Sequence, residues 1–486
     1  MRVVAKNTGI FGSGFVWEGM REAGPSSWAF EEFGQARLAD PRWRRRLVSM
    51  AEGAARRPAG RVTESFARSD ERQGAYGLLE SDAVGADEVG TAMFEACARR
   101  SASESFVFCP IDGTSLNLTD YEHSKGFGPV GSRAEGGRGL KVMNAMVLSA
   151  EGVPLGVSSQ RYWTRDDHRR RLHRDKLRPQ EKETQHWLAA MKQTREVMAE
   201  HAPTTRCWFQ LDREGDAWSI LKEAGLSKHW FTIRAFQKRR VLLPDGAKAY
   251  LWPLLKQQPV KTRYALEVRA AGRRKARTAD MVVRACKVTL DVRDKRTSER
   301  SRIDVNVVQA IEHGTTPVGE KPIQWTLLTN RPIEVIKDIT DVIAGYSMRW
   351  RIEELHRTWK SGACSVEDNQ LRSASAAIKW ATILMGVAAR IERIKQLSRE
   401  QPDLPVTDEF SPAEIKAAAL LYLGKAAKAK LRPAVTPTVA EVTLWIAYLG
   451  GYTGKSSGGP PGSITLSRGL KEVRAAARAI EALTND

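Results

Sequence analysis

Tyr346-Ser-Met-Arg349-Trp350-Arg351-Ile352-Glu353-Glu354-Leu355-His356-Arg357-Thr358-Trp359-Lys360 is the run on which the reading of this chain turns. Read as one helix at about 100° per residue, it brings Tyr346, Arg349, Glu353, Arg357 and Lys360 into an arc of roughly 80°. Ile352, Leu355 and Trp359 face the other way. One acid amid cations and a tyrosine suits a carboxylate that holds a metal while its neighbours hold phosphate. A solvated helix laced with salt bridges uses the same residue types, so this run alone leaves both readings open.

Two aspartates upstream bear on the choice. The apolar run of residues 105–111 predicts a strand ending in Asp112-Gly113-Thr114-Ser115, and residues 206–211 predict another ending in Asp212-Arg213-Glu214-Gly215-Asp216. Residues 141–149 and 154–163 read as two strands joined at a turn. A helix is expected over residues 179–201, and strand again over 231–234. An aspartate after a strand is commonly only a turn residue. Two of them with a late helical glutamate can instead meet at the edge of one sheet and hold two divalent ions, which take oxygen ligands and bind substrate phosphate.

Around this centre the chain divides by pattern. Residues 1–26 read as a loose leader without an apolar h-region. Residues 27–100 are helical in pattern: Asp40-Pro41 opens a helix bearing Arg42, Arg44, Arg45 and Arg46, with Arg56 and Arg57 close behind. That face suits the DNA backbone or plain solvent equally. A catalytic segment is expected over residues 101–361. Within it helical signals nearly vanish over 237–332, where strands and the basic tip Ala271-Gly-Arg273-Arg274-Lys275-Ala-Arg277 predict a β-rich insertion. Residues 362–486 return to helix. They end in an alanine-rich helix near 466–483, whose stripe of Leu470, Val473, Ala477, Ile480 and Leu483 has to be covered by something.

Composition agrees with a polyanionic partner. Lysine and arginine number 77 against 57 acids, a net charge of +20, which points to nucleic acid without any sequence preference. The five cysteines are scattered, with no zinc spacing, and read as small buried residues in a reducing cytoplasm. The longest apolar stretch, near 380–389, is short for a membrane span. No Gly-x4-Gly-Lys-Ser/Thr is present, so no nucleotide cofactor is expected.

Three motifs now carry a resemblance. Ile111-Asp-Gly-Thr-Ser-Leu116, Leu211-Asp-Arg-Glu-Gly-Asp216 and Tyr346-x2-Arg349-x3-Glu353-x6-Lys360 resemble the active-site motifs of bacterial DDE transposases of the Tn-five type. Leu38-Ala-Asp-Pro-Arg42, Gly74-Ala-Tyr76, Trp325-Thr-Leu-Leu-Thr329 and Ala447-Tyr-Leu-Gly-Gly451 extend it along most of the chain. The resemblance implies a multidomain α/β protein: a ribonuclease-H-like mixed α/β core with a β-rich insertion, an N-terminal helical DNA-binding domain and a C-terminal helical dimerisation domain. It implies that Asp112, Asp212 and Glu353 hold two Mg²⁺ ions, for which Mn²⁺ can substitute. Tyr346, Arg349 and Lys360, helped by Arg357, would position phosphates at the DNA ends. Trp325 would receive a flipped base, the alternative being an ordinary core aromatic.

The activity so implied is cut-and-paste transposition. Transposon-end double-stranded DNA is cleaved through a hairpin and joined to target DNA, with a homodimer pairing two ends. Arg42, Arg44, Arg45, Arg273, Arg274 and Lys275 are the further DNA contacts expected. Glu214, Asp216 and Glu354 match flanking positions and are set aside as ligands. Gly77 departs from the pattern, standing where a basic contact is expected. A DNA-binding repressor without catalysis and a stand-alone nuclease are the competing functions. The expected setting is the bacterial cytoplasm, on the nucleoid and away from membranes.

Overall fold

The computed structural model describes residues 27–131, 136–165, 182–243, 245–270, 272, 274–294, 297–425, 437–454 and 459–484. The expected leader of residues 1–26, the first residues of the helix expected from 179, and Arg273 lie outside them. Two compact units emerge, Met93–His356 and the pair of segments Met1–Ala92 and Arg357–Asp486.

The Met93–His356 unit is organised by one mixed sheet. Its strands are β1 (Phe106–Asn117), β2 (Gly128–Pro129), β3 (Arg138–Leu148), β4 (Pro154–Trp163), β5 (Arg206–Leu211), β6 (Trp230–Arg234), β7 (Arg240–Leu242), β8 (Lys248–Tyr250), β9 (Val260–Val268), β10 (Arg277–Arg293), β11 (Arg300–His313) and β12 (Gln324–Thr329). The path runs β2-β3-β1-β5-β6-β12-β11-β10-β7-β8, with β4 on β3 and β9 on β10. β1, β3 and β4 form an antiparallel meander, whereas β1, β5 and β6 are parallel. The parallel strands are buried on both faces, hence the unbroken apolar run Cys207-Trp-Phe-Gln-Leu211.

Two expectations shift here. β1 does not end at Ile111: it leaves β5 after Pro110 but stays paired with β3 through Asn117, so Asp112 sits inside a strand. The β-rich insertion holds a short helix, α8 (Leu251–Gln257). Its Pro253 lies in the first turn, where a proline forfeits no helical hydrogen bond.

Five further helices lie in or enter this unit: α5 (Ala86–Ser101), α6 (Thr184–His201), α7 (Trp218–Leu226), α9 (Ile336–Ser347) and α10 (Trp350–Lys360). The run from Tyr346 to Lys360 is thus two helices rather than one. Across the joint the backbone tightens to i→i−3 bonds, Met348 N to Gly345 O (3.2 Å), Arg349 N to Tyr346 O (3.1 Å) and Arg351 N to Met348 O (3.0 Å). Gly345 lets α9 lie close on the sheet, since a Cβ there would meet the Trp208 ring at 2.8 Å.

The other unit is helical: α1 (Trp28–Phe33), α2 (Pro41–Arg56), α3 (Val62–Ser65), α4 (Ser69–Glu80), α11 (Ala374–Glu400), α12 (Pro412–Lys425), α13 (Val439–Leu449) and α14 (Ser463–Thr484). Asp40 caps α2 as its spacing predicts, Oδ1 accepting from Arg42 N at 2.8 Å. α11 is the core of this unit, buried along most of its length; its Trp380 Nε1 donates to Gly60 O at 2.7 Å. By length and composition alone α11 could cross a membrane, contrary to the short span read from sequence, but 78% of its most apolar window is buried in protein. Leu470, Val473 and Ala477 of α14 are buried within the same unit, which packs α14 on α12 and α13. Most of the stripe is therefore covered by its own chain, and its end, at Leu483, is exposed.

Candidate active site

The sheet brings the first two acids near each other. Parallel pairing of β1 with β5 reaches Pro110 opposite Gln210; Asp112 and Asp212 each follow two residues beyond that last pair, close enough for the Asp212 charge to act on Asp112. Asp212 caps a short 3-10 turn, its Oδ1 accepting from Glu214 N at 2.7 Å. Glu353 arrives on the first turn of α10. Arg349 ties this set together: Nη1 donates to Asp112 Oδ2 at 3.3 Å, and Nη2 donates to Glu353 Oε1.

Electrostatics agree with that grouping. Burial pushes the Asp112 carboxyl up to about 7; Arg349 opposes the rise, while the Asp212 and Glu353 charges add to it. A single guanidinium therefore does not neutralise three clustered carboxylates. The acids set aside in sequence are occupied elsewhere. Asp216 accepts from Phe236 N and Gln237 N, both at 2.7 Å, and from Arg239; Glu354 pairs with Arg351 at 3.3 Å; Glu214 is exposed.

Tyr346 is buried with its ring edge-on to Trp325, centroids 5.4 Å apart. Burial raises its hydroxyl, Arg349 and Arg234 lower it, and the Asp212 charge raises it again. Trp325 is half-buried at the start of β12. Arg234 was missed by sequence reasoning. It ends β6, the parallel neighbour of β5, and its Nη2 donates to Gln324 O at 2.8 Å. A basic residue at the carboxyl end of a parallel strand next to Asp212 was the available signal.

The remaining expected contacts are dispersed. Arg357 and Lys360 fall in the helical unit, where Arg357 is exposed and Lys360 Nζ lies 3.6 Å from Glu367 Oε1. Arg42, Arg44 and Arg45 are exposed on α2, with Arg42 held to Asp40 at 2.7 Å. Arg274 and Lys275 are exposed near the β9–β10 tip. Among the described residues one group of metal-capable side chains has ligand atoms within 4.8 Å of one another, and it is Glu95, Glu200 and His201 rather than the predicted acids. Arg99 also serves Glu95 there, at 3.8 Å.

Two comparisons with known families bear on this geometry. A family model described as "Transposase DNA-binding" matches residues 25–84. A second, described as "Transposase Tn5 dimerisation domain", matches residues 386–482. Both matches support a Tn5-type transposase. In sequence its matched stretches flank the sheet: α1 to α4 lie in the first, and the second runs from within α11 to α14. The exposed arginines of α2 thus belong to the transposase's DNA-binding stretch. Asp112, Asp212 and Glu353 lie between the two matches.

Proposed function

We propose that this transposase cuts and joins DNA through a ribonuclease-H-like core whose metal-holding acids are Asp112, Asp212 and Glu353. The observation that carries the reading is the half-buried Asp112 carboxyl, bonded to Arg349 and raised to about 7 by desolvation with two further acids close by. Hard divalent cations such as Mg²⁺, or Mn²⁺ in its place, fit an all-carboxylate donor set and offset like charge that one arginine leaves uncompensated. The strand order β4-β3-β1-β5-β6, an antiparallel meander extended by two parallel strands, supports that core.

When bound, a pair of such ions would supply activation of the attacking oxygen and stabilisation of the leaving one. The chain's own groups do the rest. Asp112 on β1 and Asp212 just past the end of β5 would fix one side of the site, and Glu353 would close it from α10. Arg349 and Arg234 offer guanidinium groups to phosphate, where bidentate donors orient as well as attract. Tyr346 braces the Trp325 ring, leaving that half-buried face to stack on an unpaired base. Arg42, Arg44 and Arg45 grip end DNA, with Arg274, Lys275 and Arg273 as further backbone contacts. A homodimer pairs two ends before transfer to target DNA, placing the protein on DNA in the cell.

The test is a time course with Mg²⁺ and linear DNA bearing the element's own ends, resolving nicked, hairpin and flush-cut products. Wild type should pass through the hairpin. Trp325→Ala should slow hairpin formation or opening by about 5–150-fold, the loss of one stacking contact of ~1–3 kcal/mol, while sparing the first nick. Trp325→Phe should recover part of that. Nicks without hairpins would make the protein a nuclease, and retention of DNA without any cut would make it a binder.

A further inference from the structure

We infer that the buried hydrogen bond between Asn144 and His356 is a latch that sets Glu353 against Asp112, making these two residues positioning groups for the carboxylate site; the inference rests on the metal-site reading above. Asn144 is the register partner of Asp112 across the antiparallel β1/β3 pair, so both side chains leave the same face of the sheet. Gln160 of β4 is in turn the partner of Asn144 and donates from Nε2 to Asn144 Oδ1 at 3.1 Å. The row Asp112, Asn144, Gln160 thus crosses three strands on one face.

α10 meets this row at His356. Asn144 Nδ2 and His356 Nε2 are 2.9 Å apart, a hydrogen bond between two buried polar side chains. Asn144 is fully buried, and His356 and Gln160 are nearly so. The apolar contacts of α10, made by Ile352 and Leu355, are non-directional and tolerate sliding or rotation. A polar pair does not. One turn of slip, or rotation by one residue, breaks the bond between a buried amide and a buried imidazole, a penalty that selects a single register.

Glu353 precedes His356 by three residues, about 4.5 Å along the helix axis. Fixing His356 over Asn144 therefore fixes Glu353 beside the strand position next to Asn144, which is Asp112. Arg349, bonded to both Asp112 and Glu353, independently records that the two acids come close.

The test compares full-length wild type with Asn144→Leu/Gln160→Leu/His356→Leu, called the leucine variant, which removes the latch together with the Gln160 side chain that bonds to Asn144, and with His356→Gln, whose side-chain amide can still bond to Asn144. Mn²⁺ binding to the DNA-free protein is measured by calorimetry, alongside melting temperature and end-DNA binding. The leucine variant should bind Mn²⁺ about 10–100-fold more weakly, with end binding and melting close to wild type, and His356→Gln should keep most of the affinity. Mn²⁺ affinity within twofold of wild type in a folded leucine variant would overturn the latch. Should that variant melt early, Asn144→Ser is titrated in its place, and the same two outcomes decide. Asp112→Ala is run in parallel: wild-type Mn²⁺ binding by that variant would sink the metal-site reading itself, and the latch with it.

Discussion

Glu414 in the helical unit and Asp112 on the sheet are both acids enclosed by protein, yet their carboxyls move in opposite directions. Burial pushes Glu414 up, but Arg390, Arg474 and the Ser411 N–H outweigh it, and the group is held below its ordinary value. Arg474 donates to it at 3.1 Å, Ser411 N donates at 3.0 Å, and Arg390 lies 3.6 Å away. Asp112 has one arginine and two competing acids, and it rises to about 7. Burial alone does not mark a functional carboxylate. What distinguishes Asp112 is charge the protein leaves uncompensated, the arrangement expected where an external cation completes the balance.

The sharpest way to break this contrast is to remove each acid. Asp112→Ala, Asp212→Ala and Glu353→Ala should each lower cleavage by roughly 10⁴-fold, with end binding and melting largely retained, as followed by product gels and gel shift. Cleavage that survives Glu353→Ala but fails in Glu354→Ala would move the third ligand by one residue. Glu414→Gln should do the reverse. It leaves Arg390 and Arg474 facing each other without a counter-charge, at a cost of about 3–5 kcal/mol, read as an early melt.

A smaller effect sharpens the comparison through pH. The Asp112 carboxyl titrates higher in the folded chain than in the unfolded one, so the metal-free protein keeps a proton there that the unfolded chain releases. Its stability should fall as pH rises from about 4 to about 7 and then level off. Asp112→Asn removes that penalty and should stabilise the metal-free protein by roughly 2–4 kcal/mol at pH 8, with the gain vanishing near pH 4. Denaturant melts at the two pH values check it. A gain that is the same at both would mean Asp112 is not the group responsible.

How far all this could be read from sequence differs by element. The strands β1 and β5 announced themselves as unbroken apolar runs ended by aspartates, and the Arg349, Glu353 spacing survived intact because it lies mostly within α10. The joint at Met348–Arg349 did not show, since 3-10 and α backbones use the same residues. The continuation of β1 past Asp112 was hidden because glycine and threonine after an acid read as a turn; pairing with β3 decides otherwise. Arg234, Asn144 and His356 gain their meaning only from cross-strand register, which no local pattern encodes. Burial of the α14 stripe was likewise a tertiary fact, as an amphipathic helix looks the same whichever body covers it.

The smallest expected effect lies on the surface of the helical unit. Arg44→Ala and Arg45→Ala should each flatten the salt dependence of end binding by about one unit of slope or less and leave cleavage of bound ends unchanged. Binding at several salt concentrations measures it. An unchanged slope in both would return that face of α2 to plain solvent.

Arg349 carries a consequence of its own. Its guanidinium is tethered within reach of Asp112 and Glu353, so it competes for them at a high effective concentration. On the roles proposed here, a metal entering the site would have to displace it, and a DNA phosphate that drew it outward would remove the competitor. The two ligands would then strengthen each other by the same factor whichever came first, and readiness to cut would be acquired on the DNA.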